Sequence, residues 1–81
     1  MHTNQNEESE DSLRLAYGHK VQELLSQSDA ATLIDDLWHM YTGYTVLVQD
    51  AGHDPRGSNM FVSFRDLVFF FQEIGKMAKG Q

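Results

Sequence analysis

The sequence predicts an all-α fold, a small three-helix bundle behind a disordered acidic N-terminal tail. Three observations carry that expectation. Apolar residues recur at helical spacing in three separate segments. Residues that cap or break helices stand between those segments. Residues 1–11 carry no strong apolar side chain after Met1.

The tail comes first. Glu7, Glu8, Glu10 and Asp11 crowd negative charge into a short stretch. Such a segment buries too little surface to offset the entropy lost on ordering, so residues 1–11 read as a solvated tail. Residues 12–81 read as one helical domain, the most that a chain of 81 residues accommodates.

The first helix is expected over residues 12–26. Ser12 suits its N-cap, and Glu10 and Asp11 suit the positive end of its dipole. Leu13, Tyr17, Val21, Leu24 and Leu25 form one apolar stripe, with Leu15 off it. Gly18 interrupts this helix, either to admit a close neighbour or simply as a weak point.

The second helix is expected over residues 29–48, capped by Ser28 or Asp29. Ala30, Leu33, Leu37, Met40, Tyr41, Tyr44, Leu47 and Val48 keep one helical phase. A competing signal lies in Thr45, Val46 and Val48, which are β-branched, and in Gly43, a candidate C-cap. The alternative fold is therefore α+β, with a short hairpin pairing residues 44–49 and 59–62. Persistence of phase favours the long helix.

A turn-rich connection of about 14 residues should follow. Within it, Asp54-Pro55-Arg56-Gly57 has the residue order of a type I turn. The third helix is expected over residues 63–79. Ser63 and Asp66 resemble a capping box, and Val62 and Leu67 fit a hydrophobic staple. Phe64, Leu67, Val68, Phe71, Ile74, Gly75 and Ala78 share its inner face, which Phe70 and Met77 widen to one side. Lys76 and Lys79 suit the negative end, and Gly80 the stop.

Composition narrows the function. Twelve acids against six scattered bases leave a net charge of −6, which disfavours direct binding to nucleic acid or to an anionic membrane surface. No apolar run approaches the length of a membrane span, and the polar N-terminus lacks a signal-peptide core. A cytoplasmic location is the expectation. Absence of cysteine removes disulfides, thiolate metal sites and cysteine nucleophiles. A domain this small often needs a metal, a disulfide or a second subunit, so a homodimer enters at this stage.

Catalytic patterns are sparse. His39 follows Asp35 at helical spacing, which fits a metal-ligand or base pair but fits an ordinary surface pair better. His53, Asp50 and Asp54 are the other candidates for a metal-assisted hydrolase, and the Pro turn already accounts for Asp54. Asp35 and Asp36, as helix neighbours, diverge rather than converge on a substrate atom. The chain holds no nucleophile elbow and no phosphate-binding glycine loop, and a small three-helix chain should leave little room for a ligand cleft. The expectation is a protein that is not an enzyme and carries no cofactor.

The apolar surface is more informative. Phe69 projects with Arg65, Gln72 and Lys76, away from the core stripe, and Trp38 stands at the edge of the second helix's stripe. Trp38, Phe69 and Phe70 are the candidate contact residues of a protein–protein interaction module. Its partner is expected to be a second copy or another protein. The other reading is an acidic regulator or nucleic-acid mimic that blocks a basic site through Glu7, Glu8, Glu10, Asp11, Asp29, Asp35 and Asp36.

Overall fold

The computed structural model describes residues 2–80, with side chains for residues 9–80. It is all-α: α1 spans His2–Gln27, α2 Ala30–Ala51 and α3 Gly57–Lys79. Among the described residues there is no strand, so residues 44–49 and 59–62 do not form the alternative hairpin.

The caps explain most of the boundaries. Asp29 closes the start of α2, its Oδ1 accepting the Thr32 N–H at 2.8 Å. Gly52 ends α2 with φ 99°, a conformation that a side chain would strain, and its N–H reaches the Val48 carbonyl at 2.8 Å. Helix therefore runs through Thr42–Val48 despite the β-branched residues. The Thr45 hydroxyl settles on the Thr42 carbonyl at 2.8 Å, an accommodation open to threonine inside a helix.

Two boundaries depart from expectation. First, α3 begins at Gly57, so Ser63 lies inside the helix and caps nothing. The expected long connection shrinks to residues 52–56. The Asp54–Gly57 turn forms as the residue order predicts, with the Gly57 N–H on the Asp54 carbonyl at 3.0 Å. It feeds straight into the helix, where Met60 N–H bonds to the Arg56 carbonyl at 2.9 Å. Packing of Phe61 near Tyr41, with ring centroids 6.0 Å apart, rewards this early start and overrides the local cap signal.

Second, α1 does not wait for Ser12. Arg14 pairs with Glu10 at 3.8 Å and Asp11 at 3.3 Å, spacings that require helix across Ser12. Residues 9–20 are exposed on every side, so this stretch stands without tertiary cover.

Helices α2 and α3 form an antiparallel pair. Ala30 faces Gly75, Trp38 meets Phe64, and the Tyr44 hydroxyl lies beside Gly57. Phe64 is the centre of the packing. Tyr41 stacks on it with centroids 4.4 Å apart, and Trp38 meets it edge-on at 4.8 Å. Among the described residues the buried hydrophobic side chains are Phe64, Val68 and Phe71, all from α3. Among the described side chains of α1 only Val21 and Leu25 are partly out of solvent.

The shape records this uneven packing. The radius of gyration is 17.4 Å, against about 12 Å for a globular chain of this length. The long dimension of 59 Å exceeds any one helix, the longest of which spans about 39 Å at 1.5 Å per residue.

Candidate interaction surface

Helical periodicity leaves a long apolar stripe beside the packing seam on each of the paired helices. On α2 it runs through Leu33, Leu37, Met40, Tyr44 and Leu47. On α3 it runs through Ser63, Leu67, Phe70, Ile74 and Met77. Neither stripe contains a charged residue. The antiparallel pairing brings them together around an open groove of about 360 Å³, where Leu37, Met40, Tyr44, Met60, Ser63 and Leu67 converge. Arg56 and Asn59 also border it. Met40 remains 68% exposed and Leu67 45%.

A second groove, of about 530 Å³, opens where the end of α1 approaches the other two helices. Leu25, Ala30, Ile34, Phe71, Ile74 and Ala78 supply its apolar walls, and Asp29 and Lys79 are among its polar residues. The small chain thus leaves more room than its length suggested, because α1 covers little of the α2–α3 pair.

The three expected contact residues lie in different settings. Phe70 belongs to the α3 stripe, 43% exposed, with its ring edge-on to Phe71 at 5.2 Å. Trp38 spends one edge on Phe64 and keeps about half its surface in solvent. Phe69 is also half exposed, but the charged side chains that project with it, Arg65 and Lys76, pair with Asp66 and Glu73, each at 3.3 Å. Sequence reasoning missed Met40 and Leu67 as surface residues, because both read as core on a helical projection. Their exposure depends on what lies opposite, and periodicity does not report that.

The polar candidates are engaged locally. His39 and Asp35 stand 3.9 Å apart, both well exposed, as a surface pair one helical turn apart. Asp54 accepts from the Tyr44 hydroxyl at 2.6 Å and from the Arg56 N–H at 2.9 Å. The Tyr44 hydrogen bond, with the Arg56 N–H second, holds the Asp54 carboxyl below the usual carboxylate range. The same bond pushes Tyr44 above the ordinary tyrosine value. Asp29 is lowered by its hydrogen bonds to Thr32. Among the described residues no three His, Asp or Glu side chains gather as a metal site, so His39, His53, Asp50 and Asp54 are not brought together. Of the acids expected to mimic nucleic acid, Glu10 and Asp11 pair with Arg14, and Asp29 caps α2. The side chains of Glu7 and Glu8 lie outside the described residues.

No helix among the described residues is long and apolar enough to cross a membrane. No protein-family model, curated protein or solved structure matches the chain.

Proposed function

We propose that this chain is a non-enzymatic interaction module that associates through its own apolar surface, in the first instance with a second copy of itself. One observation carries the reading. Large apolar side chains from Leu13 to Met77 stand open on all three helices, while the buried core among the described residues amounts to Phe64, Val68 and Phe71. A chain of this size without disulfides needs more cover than that, and association supplies it. Contiguous exposed apolar surface marks contact sites on many proteins.

Light scattering across a concentration series tests the proposal. The expected result is a mass above that of one chain, not lowered by salt, because apolar contact drives association and salt only screens the repulsion between two acidic copies. A single-chain mass at every concentration would remove self-association. Capture of a basic partner that weakens steeply with salt would instead favour the acidic-regulator reading.

A further inference from the structure

We propose that the apolar face shared by α2 and α3, with Arg56 at its rim, is where a second copy of this chain docks, so that two hairpins close into a four-helix bundle. The inference rests on the self-association reading above and names the surface that reading leaves open.

Three observations select this occupant. The first is area. The chain exposes 6892 Å², whereas a compact monomer of 9.3 kDa exposes about 5,000 Å². The excess, about 1,900 Å², is shared between the uncovered α1 and the open faces of α2 and α3, and is of the order of the roughly 1,000–2,500 Å² per chain that obligate homodimers bury.

The second is charge. At −6 per chain, two copies repel wherever their acids meet. The α2 stripe from Leu33 to Leu47 and the α3 stripe from Ser63 to Met77 carry no charge. A two-fold contact sets the same patch against itself, so a patch bearing acids is penalised and an uncharged one is not. Asp36 and Asp66 stand at the edge of these stripes, not within them, whereas on the opposite side of the pair, which offers Trp38 and Phe61, Arg65 and Lys79 lie on the α3 face itself and would meet their own copies.

The third is shape. Met40 and Leu67 stand at a groove that also takes in Leu37 and Met60. Phe70 lies less than one turn beyond Leu67 on the same stripe. Ridges of this kind on one hairpin fit the groove of another, the packing on which four-helix bundles rely. In the dimer the helix pair gains the second apolar layer that a lone pair lacks.

The absence of cysteine makes the test direct. Single-cysteine variants Met40→Cys, Leu67→Cys, Phe70→Cys and, as a control, Phe69→Cys are oxidised mildly and sized on a denaturing gel. The proposal expects a disulfide-linked dimer from at least one stripe position, since residues near a two-fold axis come within bridging reach of their own copy. It expects far less from Phe69→Cys. Linkage strongest at Phe69, or absent from all stripe positions, overturns it.

Leu67→Glu and Met40→Glu supply the second arm, read by light scattering alongside circular dichroism. Each should weaken dimerisation by at least about tenfold, because the carboxylate lacks a partner across an apolar face. A wild-type dimer that survives both changes overturns this face while leaving self-association standing. A wild-type chain that never dimerises overturns both, and the two failures are thereby distinguished.

Discussion

Helix α1 and the α2–α3 pair are built from similar material and end differently. Both carry apolar residues at helical spacing, and both are helices of six to seven turns. The pair closes on itself because aromatic rings meet across the seam: Tyr41 and Trp38 from α2 grip Phe64 from α3. Helix α1 has a stripe of the same kind, yet Leu13 and Tyr17 remain more than half exposed. Amphipathicity names the face a helix must bury. It does not name what covers that face, and here the chain itself covers only part.

Phe64→Ala removes the ring on which both α2 aromatics rest and leaves a cavity. It should cost about 3–5 kcal/mol, enough to collapse the hairpin in a thermal melt followed by circular dichroism. Trp38→Ala removes only an edge contact from a half-exposed ring, and about 1–2 kcal/mol is expected in the same measurement. A loss as large as that of Phe64→Ala would mean that Trp38 is covered in solution.

Gly43→Ala places a methyl group where no atom lies within 4 Å, and should stabilise α2 by up to about 1 kcal/mol. Leu13→Ser on α1 should alter the melting of the hairpin by no more than about 0.5 kcal/mol, since nothing packs over that turn.

The turn gives a pH dependence of modest size. Asp54 and Asp29 have lowered values in the fold, so their contributions are present above the ordinary carboxylate pKa and are lost as pH falls through the lowered values. Tyr44 is raised, so its contribution is complete below the ordinary tyrosine pKa and disappears as pH climbs through the raised value. Tyr44→Phe should flatten the alkaline arm in a melting-temperature profile. An unchanged alkaline arm would show that the Tyr44–Asp54 bond does not form in solution.

Much of the fold was legible in particular residues. Asp29, the Asp54–Gly57 turn and Gly80 each do what their chemistry suggests, because caps and turns are local. Phase alone carried helix through Thr42–Val48 against β-branched residues. The start of α3 was misread because Ser63 and Asp66 satisfy a local pattern, while the contact of Phe61 with Tyr41 is tertiary. The candidate surface was legible in part for a related reason. Phe69 and Phe70 announce themselves as aromatics outside the core stripe, whereas Met40 and Leu67 sit among core positions and are exposed because no helix of this chain lies over them.

We propose that this chain completes its core with a second molecule. Thermal melting followed by circular dichroism over a hundredfold range of protein concentration tests it most directly. If folding is coupled to dimerisation, the melting temperature rises steadily with concentration. A cooperative transition at one temperature across the whole range would contradict the claim, because it would show that the hairpin and its small core stand alone.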